Sequence, residues 1–169
     1  MSRSMAADFE EFAHARSGQL LRTACLLTGD WHLAEDLVQE TFGKLFPVWR
    51  RVRAMDAPMA YAHTTLVRTY LSARRLRRWS ERPAGDVPDR QSPDGSDIEL
   101  RLTLLEGLDR LSPNDRAVLV LRYWEDYSIK DTADILRIAP GNVPVRAKRA
   151  LTRLRALLGN ELRDLAATC

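Results

Sequence analysis

A segment near the middle of the chain lacks any pattern that would build a helix or a strand. It runs from Arg82 to Asp97, RPAGDVPDRQSPDGSD, and holds three prolines and two glycines in sixteen residues. Such a composition is typical of a linker. Because the chain has 169 residues, each flanking part is long enough for only one small domain. We therefore predict one domain over residues 1–80, a linker over 81–97 and a second domain over 98–169.

Apolar residues at helical spacing run through the first domain and predict an all-α fold. A first helix is expected over Asp8–Leu27, and Thr28-Gly29-Asp30 would end it and cap the next helix. That second helix would run past Leu45. A basic loop with one aromatic residue would follow at Trp49–Arg53, and a third helix would extend over Pro58–Ser80.

Four shorter helices are predicted in the second domain. The first would cover Ile98–Leu111, the second would run from Ser112-Pro113 to about Asp126, and the third from a cap at Ser128 to about Leu136. A short turn then leads to a fourth helix with apolar residues at spacings of three and four. These residues are Val143, Ala147, Leu151, Leu154 and Leu158. A short helix, a tight turn and a longer basic helix together are typical of a helix-turn-helix.

The second helix of the first domain combines an apolar stripe with an acidic opposite face. The acidic face carries Glu35, Asp36, Gln39 and Glu40, and no cation lies in the same turns to pair with them. The stripe is needed for folding, but the clustered carboxylates are not. The acidic face is therefore either a solvated surface or a docking site for a cationic partner.

Charge is distributed unevenly, although the net charge is only +3. Residues 1–50 hold five basic and seven acidic groups, residues 51–82 eight and two, residues 83–136 six and twelve, and residues 137–163 seven and one. The two strongly basic blocks predict two contacts with a polyanion, and the strength of such contacts falls with salt. The alternative is that both blocks are arginine-rich faces turned to solvent.

Several function classes are disfavoured by the sequence. It contains no run of about 18 apolar residues and no signal-peptide core, so we expect a cytoplasmic protein without membrane insertion. Cys25 and Cys169 make neither a disulfide framework nor a metal site. His14, His32 and His63 have no ligand spacing, and no phosphate loop, dinucleotide fingerprint or nucleophile elbow occurs. We expect no enzyme activity, no catalytic residue, no cofactor and no metal.

Two motifs in the chain resemble parts of one family. AEDLVQETF, with the Trp49-containing basic stretch and the arginine-rich helix after it, resembles region 2 of bacterial extracytoplasmic-function (ECF) sigma factors. LDRLSPNDRAVLVLRYWEDYSIKDTADIL, followed by GNVPVRAKRALTRLRALL, resembles their region 4. TGDWHLAEDLVQETF is most similar to the actinobacterial sigma-E-like branch. The resemblance implies an alternative sigma factor that binds core RNA polymerase, directs promoter-specific initiation by reading −10 and −35 elements, and aids duplex opening.

The resemblance also implies roles for individual residues. The contact with core polymerase falls on Asp36, Gln39 and Glu40. The −10 contact falls on the basic stretch, which would capture a flipped base, and on the helix after it. Its residues are Trp49, Arg50, Arg51, Arg53, Arg68, Arg74, Arg75, Arg77 and Arg78. The −35 contact falls on Asn142, Val145, Arg146 and Arg149, where arginine can hold guanine O6 and N7 bidentately.

The chain departs from the family pattern at several positions. Arg68 stands where Asn is common, Ala73 where Trp is common, Arg137 where Gly is usual in the turn, and Ala139 where Ser commonly caps the helix. The family's Gly-Thr-Val-Lys-Ser is replaced by the residues of 141–145. These departures predict an altered or more electrostatic contact at Arg68 and a changed start of the last helix.

Pro144 limits where that last helix can begin. Proline has no N–H to donate and clashes with the carbonyl four residues earlier, so a helix starting at Pro140 would be strained. Our hypothesis is that Asn142 caps the helix, which places Pro144 in the first turn, where proline is tolerated. The reading end is then shorter, and we expect an unusual or weak −35 preference.

Partners follow from the same resemblance. We expect core RNA polymerase and promoter DNA as partners, an anti-sigma factor as the controlling protein, and a monomer when the chain is free. One rival is a helix-turn-helix regulator that binds DNA without being a polymerase subunit, which leaves the acidic face unexplained. A second rival is a helical adaptor that binds only proteins, which leaves both basic blocks unexplained.

Overall fold

The computed structural model describes residues 4–76 and 95–168, and the regular structure within these two ranges is helical, with no strand. The predicted all-α fold is confirmed. The chain divides into two compact units, Met1–Gly85 (unit one) and Asp86–Cys169 (unit two). Most of the predicted 81–97 linker lies outside the described residues, while its last three residues already belong to a helix. Among the helices of residues 4–76 and 95–168, none has the length and apolar composition of a membrane span.

Over residues 4–76, unit one has three long α-helices and one short one. Their bounds are α1 Met5–Thr28, α2 Trp31–Leu45, α3 Trp49–Val52 and α4 Pro58–Arg75. The three long helices pack on one another through apolar stripes. The fully buried side chains of this core include Leu20, Leu27, Leu37, Leu45, Leu66 and Tyr70. The predicted end of the last helix, with Arg77, Arg78 and Trp79, lies outside the described residues.

The junction between α1 and α2 follows its sequence signals. Gly29 adopts a left-handed conformation with φ 69°, and its N–H donates to the Cys25 carbonyl at 2.8 Å. The Asp30 carboxylate then accepts from the Leu33 N–H at 3.0 Å and caps α2. Both termini are therefore satisfied by local hydrogen bonds, as predicted from Thr28-Gly29-Asp30.

The segment after α2 differs from the predicted basic loop. Pro47 lies in a short 3-10 turn, and Trp49–Val52 forms the helix α3. Trp49 is only 3% exposed, with its ring 4.6 Å from Phe12 and 5.3 Å from Phe9 between centroids. Its indole N–H donates to the Asp8 carboxylate at 3.0 Å. The loop prediction was wrong because Trp49 and Val52 lie on one helical face that is buried.

The described part of unit two, residues 95–168, contains four α-helices, and the second of them is followed by a distorted turn. Their bounds are α5 Gly95–Asp109, α6 Pro113–Leu119, α7 Ile129–Leu136 and α8 Asn142–Thr168, and a π-helical turn over Val120–Trp124 continues α6. Helix α8 contacts each of the other three helices. The fully buried side chains here include Leu108, Val118, Leu119, Leu121, Val143 and Ala150. The predicted helix-turn-helix corresponds to α7 and α8.

The turn between α7 and α8 explains how Pro144 is accommodated. Helix α8 begins at Asn142, so Pro144 is its third residue and lies in the first turn, as predicted. Pro144 has no N–H to donate to the Pro140 carbonyl. This carbonyl accepts a hydrogen bond from the Val143 N–H at 3.2 Å. Asn142 itself is the first helical residue, so the expected cap position was one residue too far along the chain.

Candidate functional site

The acidic face of α2 is exposed along its whole length. Glu35, Asp36, Gln39 and Glu40 are all exposed, on the side opposite the buried stripe of the same helix. That stripe consists of Leu33, Ala34, Leu37, Val38, Thr41 and Leu45. Helical spacing alone thus separates the residues that fold α2 from those that can meet a partner.

One pairing within the acidic face was missed by the sequence reasoning. Glu40 forms an ion pair with Lys44 at 3.4 Å, one turn later, and the Lys44 ammonium also donates to the Thr69 hydroxyl at 3.0 Å. The expectation that no cation in these turns pairs with the acidic face was therefore wrong. Both charged side chains of this pair stay about half exposed, and exposed pairs of this spacing contribute only about 0.3–0.5 kcal/mol.

Three exposed arginines, Arg50, Arg51 and Arg53, form a basic turn at the end of α3. The Arg51 guanidinium donates to the Tyr61 hydroxyl at 3.2 Å and lies 6.0 Å from the centre of its ring. Arg53 pairs with Asp8 at 3.3 Å. Helices α1 and α4 thus fix two of the three cations. Trp49 lies in the core of unit one, in α3 and not in the predicted loop, which gives it a packing role.

Further arginines continue along α4. Arg68 and Arg74 are half-buried and Arg75 is exposed, while Arg77 and Arg78 lie outside the described residues. The buried face of α4 includes Leu66, Val67 and Tyr70. The predicted −10 residues are therefore spread along α4, because Arg51 contacts Tyr61 near the start of this helix whereas Arg74 and Arg75 lie at its other end.

The predicted −35 residues share one face of α8. Asn142, Val145 and Arg149 are exposed and Arg146 is half-buried, at spacings of three, four and seven. We refer to these four residues as the reading face. The opposite stripe of α8 holds the buried side chains of Val143, Ala147, Ala150 and Leu154. The first turns of α8 can thus present polar groups to a duplex while the stripe holds the helix in unit two.

A carboxylate that the sequence reasoning did not single out joins two arginines of the reading face. Asp115, in the first turn of α6, accepts from Nη2 of Arg149 at 2.8 and 3.1 Å. Nη1 of Arg146 lies 3.5 Å from the same carboxylate. This hydrogen bond and charge raise the pKa of the Arg149 guanidinium. Because 34 residues separate Asp115 from Arg149, no local sequence pattern could have revealed the contact.

Known protein families account for both units. The family described as Sigma-70 region 2 matches residues 12–80, and the family described as Sigma-70, region 4 matches residues 101–154. The first match contains α2, the basic turn and α4. The second contains most of α5, all of α6 and α7, and the first half of α8.

Individual relatives extend over nearly the whole chain. It is 33% identical to the RNA polymerase sigma-E factor of Streptomyces antibioticus over 168 residues, which cover 99% of this chain and 92% of the relative. It is 31% identical to the ECF RNA polymerase sigma factor SigL of Mycobacterium tuberculosis over 148 residues, 82% of each chain. The sigma factor RpoE of Bartonella quintana, solved with the anti-sigma factor NepR, superposes with a TM-score of 0.67 at 25% identity, covering 90% of this chain and 97% of that one.

Sequence, fold and comparisons agree on one family. Two sigma-70 regions occur in order on one chain, and a relative named RNA polymerase sigma-E factor aligns over 99% of it. A helix-turn-helix regulator without a polymerase-binding region accounts only for unit two and is not favoured. The chain therefore belongs to the sigma-70 family, as an extracytoplasmic-function RNA polymerase sigma factor that directs promoter-specific transcription initiation.

Proposed function

We propose that this sigma factor grips core RNA polymerase with the acidic face of α2, reads a −10 element with the basic turn and α4, and reads a −35 element with the reading face of α8. The observation that carries the proposal is the arrangement of α2 and α8. On each helix the polar residues lie opposite a buried apolar stripe. The chain itself supplies no catalysis in this proposal, because polymerase performs the chemistry.

Asp36, Gln39 and Glu40 form the polymerase contact in this proposal. They are exposed within two turns of one helix, and the well-packed stripe behind them fixes their direction. Carboxylates in this arrangement suit arginines or lysines on a partner, because charge complementarity raises the association rate and selects the partner. The ion pair between Glu40 and Lys44 is exposed, so a partner cation can replace Lys44 at little cost.

Charge reversal tests this contact. We expect the double variant Asp36→Arg and Glu40→Arg to weaken binding of core RNA polymerase by about 100-fold or more, since like charges across an interface cost several kcal/mol. The matched control is Glu10→Arg, which changes an exposed carboxylate on α1. Binding is measured by titration of labelled full chain with core enzyme, and circular dichroism checks the fold. Unchanged affinity of the double variant would refute the assignment.

The proposed −10 contact uses arginine side chains of unit one that are already held by hydrogen bonds. Arg51 and Arg53 are held by Tyr61 and Asp8, which reduces the freedom they would lose when they bind phosphate. Phosphate contacts place a protein on DNA, whereas base contacts specify sequence. Unstacking a base costs a few kcal/mol, so cations that hold the backbone beside the opened step aid strand separation. Trp49 supports this turn from the core in place of stacking on a base.

The −35 contact uses the N-terminal turns of α8, as in other helix-turn-helix proteins. Asn142 suits adenine, arginine suits guanine O6 and N7, and the exposed Val145 suits a thymine methyl group. Pro144 is exposed in the first turn and offers no hydrogen-bond donor. We therefore retain the prediction that the −35 preference of this chain is unusual or weak.

Control by an anti-sigma factor is the second part of the proposal. The solved relative from Bartonella quintana is in complex with an anti-sigma factor, and CnrH, whose fold is similar, is in complex with the cytosolic domain of CnrY. We propose that this chain works in the cytoplasm, is monomeric when free, and is held inactive by such a protein. Affinity capture from its own cells, followed by run-off transcription with the captured protein added, tests this. Undiminished transcription would contradict it.

A further inference from the structure

We propose that Asp115 is a positioning residue for −35 recognition, which sets the direction in which Arg149 and Arg146 meet the duplex. This inference rests on the proposed role of the reading face. Asp115 contacts no base in the proposal. It acts through the two arginines, and its effect is on the choice among base sequences.

Burial and helix geometry both fix the Asp115 carboxylate. Its side chain is only 11% exposed, and its backbone N–H donates to the Ser112 hydroxyl at 3.2 Å, in the cap of α6. A carboxylate in the first turn of a helix is also favoured by the helix dipole. Helix α6 packs on α8. The carboxylate is therefore a rigid point beside the reading face.

Asp115 contacts the Nη2 atom of the Arg149 guanidinium and leaves Nε and Nη1 accessible to a partner. Both Asp115 oxygens contact Nη2, at 2.8 and 3.1 Å, and the Arg149 side chain is still 60% exposed. Among the residues that the structure describes, Asp115 is the partner recorded for Arg149. A guanidinium has five N–H groups, so those on Nε and Nη1 are left for an acceptor on DNA. One carboxylate can thus hold Arg149 while it contacts guanine.

Two physical consequences of Asp115 have opposite signs. Its negative charge lies near the duplex and weakens non-specific attraction to phosphates. Its hydrogen bonds pre-order long side chains that otherwise lose rotamer freedom on binding, which favours the sequence those side chains fit. Removal of the carboxylate should therefore tighten overall DNA binding but weaken discrimination. A purely structural residue would not separate these two quantities.

The experiment uses full-length chain bound to core polymerase and a library of duplexes with six randomised base pairs at the −35 position. Total duplex retained at fixed salt gives overall affinity, and sequencing of the retained duplexes gives base enrichment. For Asp115→Asn we expect about 2- to 3-fold more duplex retained and about 3- to 10-fold lower enrichment of the preferred bases. Asp115→Glu keeps the charge and moves the carboxylate by one methylene, so it should lower enrichment without raising retention.

Two controls separate this inference from the proposed function. Asp134→Asn removes an exposed charge that pairs with Lys130 on α7, and it should raise retention without changing enrichment. Arg149→Ala should abolish enrichment at its base pair. If Arg149→Ala changes nothing, the proposed role of the reading face fails. If Arg149→Ala acts as expected but neither Asp115 variant lowers enrichment, only the role of Asp115 is overturned. Thermal unfolding of each variant identifies any loss of fold, and Asp115→Glu then provides the decisive comparison.

Discussion

At the scale of single residues, Thr132 places a hydroxyl group in the buried core of unit two. The side chain is 0% exposed, and among the described residues its oxygen has no hydrogen-bond partner. A buried hydroxyl without a partner costs about 1–3 kcal/mol. We predict that Thr132→Val, which keeps the branched shape, raises the free energy of unfolding of unit two by about 1 kcal/mol.

Thr41 gives the matched control for this prediction. It is equally buried, but its hydroxyl donates to the Leu37 carbonyl at 2.7 Å. Thr41→Val should lower the stability of unit one by about 1 kcal/mol. Native-state hydrogen exchange reports the two units separately and measures both changes. A loss of stability for Thr132→Val would show that its hydroxyl is satisfied in solution.

The role of a residue could be predicted from the sequence where its contacts are local, and could not where its partners lie far along the chain. The caps at Asp30 and Ser128 follow from rules that span three residues, and both form as predicted. Arg137 occupies a position where glycine is usual in the family, and it adopts the left-handed conformation, with φ 55°, that favours glycine. The contacts of Asp115 could not be predicted, because its partner Arg149 lies 34 residues along the chain. Trp49 was misplaced because an aromatic residue among arginines also fits a DNA-binding loop.

At the scale of elements, the helices with regular apolar spacing could be predicted from the sequence. The short segments that connect them were harder to predict. The stripes of α2 and α8 have regular apolar spacing, and both helices form where expected. The four-residue α3 is too short for periodicity to distinguish it from a loop. The π-helical turn after α6 has no sequence signal of its own. For the candidate site, the exposed faces could thus be predicted, but not the side-chain contacts that orient them.

The contact between α5 and α8 permits a prediction at this scale. A Cβ atom added at Gly107 would lie 2.8 Å from Cδ1 of Leu154, whose side chain is buried. Alanine is better than glycine within a helix by about 1 kcal/mol, but here it must displace a packed leucine, and overpacking costs about 1–3 kcal/mol. We predict that Gly107→Ala leaves unit two no more stable than the wild type, and lowers its stability if Leu154 cannot shift.

Gly159 is the control in the same unit. It lies within α8, and a Cβ atom there meets nothing within 4 Å. Gly159→Ala should therefore raise the stability of unit two by up to about 1 kcal/mol. Urea unfolding of both variants measures the difference between them. Equal gains at the two glycines would mean that α5 and α8 are packed less closely than the structure has them.

At the scale of the whole molecule, each of the two units contains one of the two basic blocks of the sequence. Each unit has its own buried core and its own arginine-rich face, and the sequence between residues 82 and 97 has a linker composition. Separate cores imply separate folding, because the hydrophobic contacts that stabilise each unit lie within it. Joining the units on one chain then adds affinity without any new contact, since the second unit binds as an intramolecular event.

Expressing the two units as separate fragments tests whether each folds by itself and whether their connection adds affinity for the promoter. We predict that fragments 1–85 and 86–169 are each helical and unfold cooperatively, and that their circular dichroism spectra add up to that of the full chain. With core polymerase present, the full chain should hold promoter DNA about 100-fold to 10,000-fold more tightly than the mixed fragments at equal concentration. Promoter retention on a filter, measured against protein concentration, gives this ratio. Fragments that fold only when mixed would show that the units depend on each other for stability, and a ratio near one would show that the tether contributes nothing to promoter binding.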